Sequence, residues 1–239
     1  MKEEGGKILG VIGGMGSLAT QLFYKMVIER TDAHLDQEHI NMLILNHATM
    51  PDRTKAILNG TGMAVYKKLL TDAKFLQESG ATVIAIPCNT SHCWIEELQS
   101  EISIPIINMI EATAEVIAAG GQAKKVGILA TDGTIQSALY QKACQRHGLI
   151  PIVLSEDNQK RVMHIIYEGV KNGEPIDLEE FKYVQAELFG KNCDCAIMGC
   201  TELSCFKKLY ALSDYYLDAM EVLAEKAILA CGKNLKIRG

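Results

Sequence analysis

The sequence predicts an α/β fold built from two pseudo-symmetric α/β domains, with mainly parallel sheets flanked by helices. Three observations carry this expectation: unbroken apolar runs, their alternation with segments of helical period, and an echo between the two halves of the chain. The runs Ile8 to Ile12, Asn41 to Leu45, Val83 to Ile86, Ile104 to Ile107, Val126 to Leu129, Ile150 to Leu154 and Ala196 to Met198 are short and rich in Val and Ile. Such runs suit strands buried on both faces, as in parallel sheets. Between them Leu18, Leu22, Met26 and Val27 recur at helical spacing, as do Val65, Leu69, Ala73 and Leu76, and then Leu178, Phe181, Val184 and Leu188. Strand and helix in alternation imply layered α/β architecture.

The echo sets the domain organisation. The segment beginning Gly10-Val11-Ile12-Gly13-Gly14 returns 117 positions later as Gly127-Ile128-Leu129-Ala130-Thr131. Likewise Val83 to Thr90 is echoed by Cys195 to Glu202, which places Cys88 and Cys200 at matching points 112 apart. Each unit thus presents a Gly-bearing turn after its first strand and a Cys-bearing turn after a later one. The expected division is an N-terminal domain over 1–110, a second over 111–210, and a C-terminal segment, 211–239, that completes the first through a helix from Asp218 to Ala230.

Composition narrows the function classes. The chain has 239 residues, 48% hydrophobic and 22% charged, with a net charge of −5, which is ordinary for a globular protein and argues against disorder. Its Lys and Arg are scattered, so the footprint that a nucleic-acid backbone requires is missing. The start, MKEEGGKILGVIGGMG, has neither the basic region nor the apolar stretch of a signal peptide, and no apolar run reaches the roughly 18 residues of a membrane span. The expectation is a cytoplasmic protein with no nucleic-acid or membrane partner, its eight cysteines held as thiols.

Two of those cysteines stand apart. Pro87-Cys88-Asn89-Thr90-Ser91-His92 follows a strand and precedes an amphipathic segment with Trp94, Ile95 and Leu98, so Cys88 is expected at a helix N-terminus capped by Thr90 or Ser91. Free NH groups and the helix dipole there favour a thiolate. Gly199-Cys200-Thr201-Glu202 repeats the arrangement, and ligands of α/β sheets sit at the carboxyl ends of strands, so the two thiols are expected across one cleft. Cys93, Cys144, Cys193, Cys205 and Cys231 read as small buried hydrophobes. Zinc on Cys193, Cys195, Cys200 and Cys205 is disfavoured because the CxxC pairs of such sites are missing.

Around the thiols lie groups suited to anions. The turn Gly13-Gly14-Met15-Gly16-Ser17 lacks GxGxxG spacing and reads as an NH-rich approach for any anion, a carboxylate included. Arg53, in Met50-Pro51-Asp52-Arg53-Thr54, offers a planar fork for a carboxylate, although a solvated pair with Asp52 explains that segment equally well. Lys171 alone reads as a solvated lysine near a helix end, and His47 and His92 as structural polar residues.

Taken together, Gly13-Gly14-Met15-Gly16 with Ala19-Thr20, Pro51-Asp52-Arg53-Thr54, Pro87-Cys88-Asn89-Thr90, Leu129-Ala130-Thr131-Asp132-Gly133-Thr134 and Gly199-Cys200-Thr201-Glu202 resemble the aspartate/glutamate racemase family, from Lys7 to about Leu229. The resemblance implies an active site in the interdomain cleft and racemisation without pyridoxal phosphate, metal or nucleotide. It implies that Cys88 and Cys200 are the two acid/base groups and that Arg53 and Lys171 bind substrate carboxylates. Asn89, Thr90, Thr131, Thr134 and Thr201 would donate to those carboxylates, and Met15 would line the pocket. Some family members carry Thr at the first Cys; this chain keeps both thiols, and it has Ser17 where Pro is common. The implied activity is interconversion of L- and D-aspartate, the substrate being a dicarboxylic amino acid; a homodimer is expected separately, because symmetric homodimers are the commonest soluble assembly. Alternatives are a broader or glutamate-preferring racemase, another isomerase acting on a hydantoin or maleate, a non-catalytic binder of a small acid, and a redox sensor.

Overall fold

The computed structural model describes residues 6–237. The first apolar run forms strand β1, Ile8–Gly13, and runs through the turn at Gly14 into helix α1, Ser17–Arg30. Strand β2, Asn41–Asn46, follows, then helices α2, Arg53–Leu58, and α3, Gly62–Glu78. Strand β3, Val83–Ala85, leads through a 3-10 turn, Thr90–Trp94, into α4, Ile95–Glu101. The order in this sheet is β2-β1-β3, and both pairings are parallel.

Helix α5, Met109–Ala119, carries the chain across, its first turn capped by the Asn108 side chain. The pattern then repeats: strand β4, Lys125–Ala130, helices α6, Asp132–Gln136, and α7, Leu139–Arg146, and strand β5, Ile150–Ile152. Helix α8, Glu156–His164, widens directly into a π-helical segment, Ile165–Lys171. Helix α9, Leu178–Gly190, strand β6, Cys195–Gly199, helix α10, Thr201–Leu209, strand β7, Tyr216–Asp218, and helix α11, Ala219–Ala230, complete the chain. The second sheet has the order β5-β4-β6-β7, again all parallel. Two parallel sheets flanked by helices are the expected fold class.

Three local expectations are corrected. The run Ile104 to Ile107 makes only an isolated parallel bridge, Ile84 to Ile106, because Pro105 has no NH to extend a ladder. The Ile150 run ends as a strand at Ile152 rather than Leu154. The segment from 211 is divided: β7 adds to the second sheet, while α11 lies against α1 and α5.

That helix joins the two halves. Leu9, Val11 and Phe23 of the first share one apolar core with Val126, Ile128 and Ile197 of the second, through Met109 and Ile110 of α5 and Met220, Leu223 and Ala227 of α11. A separate core lies under α3 and another under α8, α9 and α10. Each unit therefore has its own outer core, and burial of α11 fixes the inner faces together.

Candidate active site

The sheets end at a common cleft because both β3 and β6 release their chain into a thiol-bearing turn. Cys88 follows β3 and Cys200 follows β6, directly before α10, and both are buried. They line one cavity with Met15, Asp52, Arg53, Thr54, Asn89, Thr90, Thr131, Tyr167, Lys171, Thr201 and Glu202. Every residue expected at the site is there except Thr134. It stands behind the wall, its hydroxyl 3.0 Å from that of Thr90 and 3.2 Å from that of Thr131.

Glycine makes the approach of the two walls feasible. Gly14 has φ +86, and a Cβ there would lie 2.4 Å from the His47 backbone, so the turn that delivers Met15 tolerates no side chain. Across the cleft a Cβ on Gly133 would come within 2.9 Å of Thr54 Cα. Helices α2 and α6 therefore touch backbone to backbone at the cleft.

The Cys88 turn departs from the expected capped helix. Neither Thr90 nor Ser91 caps a helix from its side chain. The Thr90 hydroxyl reaches instead to Thr131, 3.1 Å away in the other unit, and that of Ser91 donates to the Met15 sulfur at 3.2 Å. His92 fixes the turn from behind: Nδ1 lies 3.0 Å from the Cys88 carbonyl, and Nε2 accepts the Met109 NH at 3.2 Å. Those partners select the tautomer that donates from Nδ1. Burial lowers the His92 pKa from 6.5 to about 4, so the ring is a neutral strut, in line with its structural reading.

Arg53 is buried and already held. Its Nη1 donates to the Pro51 carbonyl and its Nη2 to the Met15 carbonyl, each at 3.0 Å. The terminal fork expected to grip a carboxylate is thus engaged in part by backbone, and the buried Nε has no partner. Burial favours loss of the Arg53 proton, but the Cys88 sulfur beside it, with Asp52 and Glu202, raises its pKa overall. Asn89 is similar: its Oδ1 accepts from the Tyr140 hydroxyl, while its buried Nδ2 is unpaired. A buried donor without a partner is costly. Two of them beside a thiol are ready for an acceptor brought by a ligand.

At Cys200 the nearest charged group is a carboxylate, where at Cys88 it is the Arg53 guanidinium. Cys200 Sγ lies 2.9 Å from Glu202 Oε2, and Lys171 Nζ is 3.9 Å from Glu202 Oε1. Burial first, and then the Glu202 carboxylate, push the Cys200 thiol well above its usual range, against the pull of Lys171. The helix start expected to favour a thiolate is outweighed, because burial penalises the charged form. Sequence reading overlooked Asp52, Glu202, Tyr140 and Tyr167 as site groups. Asp52 and Glu202 sit inside segments already singled out, but a carboxylate beside a thiol does not fit a thiolate reading.

Among the described residues no cluster of three or more His, Cys, Asp or Glu could hold a metal ion, and all eight cysteines are free. No helix among the described residues is long and apolar enough to cross a membrane.

Known proteins carry the same plan. The chain is 27% identical to the broad specificity amino-acid racemase RacX of Bacillus subtilis (strain 168), covering 93% of this chain and 95% of that protein. Its structure is similar to that of Picrophilus torridus aspartate racemase, with a TM-score of 0.81 and 29% identity over 97% of this chain and 96% of the other. It is also similar to that of an aspartate racemase homologue from Pyrococcus horikoshii OT3, with a TM-score of 0.76 and 26% identity over 95% and 99% of the two chains. The Asp/Glu/hydantoin racemase family model matches residues 12–227, and the chain therefore belongs to the Asp/Glu/hydantoin racemase family.

Proposed function

We propose that this racemase interconverts L- and D-aspartate by a two-thiol acid/base mechanism that uses no pyridoxal phosphate, metal or nucleotide. The observation that carries the reading is that Cys88 and Cys200, delivered by two repeated units, line one cavity together with unpaired donors on Arg53 and Asn89. Inverting a stereocentre requires a base on one face and an acid on the other, and two related half-sites supply one each.

One thiolate removes the α-proton, and the opposite thiol donates a proton to the other face of the carbanion-like centre. Charge growing on the α-carboxylate needs fixed donors, a role for the Arg53 and Asn89 nitrogens and for the hydroxyls of Thr90, Thr131 and Thr201. Thr134 holds two of those hydroxyls in place, Met15 closes the wall, and Lys171 leaves Glu202 to take the second carboxylate. Cys200, which burial and Glu202 keep protonated, serves as the acid in one direction and as the base in the other. We place the protein in the cytoplasm as a homodimer.

The test is proton NMR of both enantiomers of aspartate and glutamate in deuterated buffer with reductant and EDTA. Loss of the α-proton signal from both aspartate enantiomers supports the proposal; exchange confined to glutamate refutes the aspartate assignment. A broader amino-acid range is the second reading, favoured by the full-length similarity to RacX. The same panel, widened to other amino acids, separates the two.

A further inference from the structure

The cavity between the thiols measures about 10 Å³. That is room for no more than about one water; an amino acid does not fit. The two units must part for a ligand to reach the thiols, so the contacts that span the cleft over this cavity decide when it is closed.

Among the described residues, a few of those contacts are polar and bridge the units at the cavity wall, the Thr90 hydroxyl with Thr131 and Thr134 and the Asn89–Tyr140 pair among them. The Tyr167 hydroxyl lies 3.0 Å from Asp52 Oδ2 and 3.3 Å from Oδ1. Asp52 belongs to the first unit, where its Oδ1 also caps α2 by accepting the Lys55 NH at 2.8 Å. Tyr167 belongs to the second, within the π-helical segment Ile165–Lys171. The wider turn of a π-helix keeps residues four apart near one face, and π segments concentrate at functional sites. Accordingly the Lys171 Nζ sits over the Tyr167 ring, 4.2 Å from its centroid, a cation–π contact. The same side chain thus touches the first unit through its oxygen and the substrate-binding lysine through its ring.

We infer that Tyr167 is a positioning residue: its hydroxyl latches the second unit to Asp52 over the thiol cavity, while its ring sets the Lys171 ammonium at the cavity wall. The inference rests on the proposed function in one respect, that both thiols serve a substrate held in this cavity. Opening breaks the hydrogen bond to the Asp52 carboxylate, and closing restores it after the ligand is in place. Substrate binding therefore completes a contact already built into the free protein.

The experiment is alkylation of the full-length protein by iodoacetamide, followed residue by residue by mass spectrometry, in wild type, Tyr167→Phe and Asp52→Asn. Phe keeps the ring under Lys171 and removes the latch oxygen; Asn keeps a capping side chain for α2 and removes the charge. Tyr167→Phe should label faster at Cys88 and Cys200, by roughly tenfold, the change that loss of a hydrogen bond to a charged group produces, and Asp52→Asn, which leaves a neutral acceptor for the Tyr167 hydroxyl, should label faster by a smaller factor. Cys93, which lies outside the thiol cavity, should label at the wild-type rate. Wild-type rates at Cys88 and Cys200 in both variants would overturn the latch, as would an equal acceleration at Cys93, which signals general loosening. In a racemase assay, Tyr167→Phe should raise KM more than it lowers kcat, whereas Tyr167→Leu, which also removes the support of Lys171, should lower both kcat and affinity. Labelling is read without turnover, so failure of the latch and failure of the aspartate assignment appear as separate results.

Discussion

Replacing Asp218 by Asn should make this protein comparatively more stable as pH rises. Asp218 is fully buried at the start of α11, where its Oδ1 accepts the Ser204 hydroxyl at 2.6 Å and the Met220 NH at 2.8 Å. Burial raises its pKa from 3.8 to about 6, with Glu221 adding to the rise and the two hydrogen bonds and Lys207 opposing it. A carboxyl whose folded pKa is raised contributes stability that is full below its unfolded pKa and lost as pH climbs through the folded one. Here that window runs from 3.8 to about 6, and the whole swing is about 3 kcal/mol at ~1.4 kcal/mol per pKa unit. About 2 kcal/mol of it falls between roughly pH 4.5 and 8. Asn keeps an acceptor for both hydrogen bonds and remains a good N-cap, but it does not ionise. Urea unfolding of wild type and Asp218→Asn at pH values across this range should show the difference, variant minus wild type, growing by about 2 kcal/mol toward high pH. His92 acts oppositely: with its folded pKa lowered from 6.5 to about 4, it removes stability as pH falls through that interval. It is present in both proteins and cancels in the difference. A difference that stays flat with pH would show that Asp218 is not the titrating buried acid and would refute the argument.

Three further outcomes follow from the site and the core. Cys88→Ser and Cys200→Ser should each lower racemisation by on the order of 10² to 10⁴, the usual contribution of a general acid or base, measured by polarimetry; a mutant with full activity removes that thiol from the scheme. Gly133→Ala places a methyl group 2.9 Å from Thr54 Cα, so it should hold α6 off α2 and raise KM, read in the same assay, with little change in far-ultraviolet circular dichroism. Leu223→Ala, at a fully buried position in the core shared by both units, should cost about 2–5 kcal/mol in urea unfolding.

The parts legible in the sequence were those whose cause is local. Strands such as β1 and β6 are announced by apolar runs with no polar alternation, and the repeated turns place both thiols because each follows its own strand. What escaped depends on contacts far apart in the chain. β7 is three residues, Tyr216–Asp218, ending in an acid, and only its pairing with β6 makes it a strand. The Thr90 hydroxyl appears suited to capping until Thr131 and Thr134, more than 40 positions away, compete for it. Arg53 has the composition of a carboxylate clamp, yet the Pro51 and Met15 carbonyls already occupy two of its nitrogens. Spacing alone could not reveal the Glu202 carboxylate against the Cys200 sulfur, because a helix N-terminus read in isolation predicts a thiolate.

That unequal setting of two thiols, in an enzyme whose substrate and product are mirror images, has a kinetic consequence. Enantiomers have equal free energy in an achiral solvent, so the equilibrium constant is one and kcat/KM must be equal in the two directions, whatever the site looks like. Asymmetry can appear only as unequal kcat balanced by equally unequal KM. Glu202 and burial disfavour the Cys200 thiolate, so under the two-thiol mechanism we propose, the complex in which Cys200 is the base is the less stable one. The enantiomer deprotonated by Cys200 should then show the larger KM and, starting from a raised ground state, the larger kcat, because removal of ground-state stabilisation leaves the shared transition state unchanged. Glu202→Gln removes the charge while keeping a polar neighbour for the sulfur, and both ratios should move toward one. Complete time courses from each pure enantiomer, followed by circular dichroism for wild type and Glu202→Gln, give all four constants. If the ratios are the same in the two proteins, Glu202 does not set the inequality, and the difference between the half-sites lies instead with Arg53 beside Cys88.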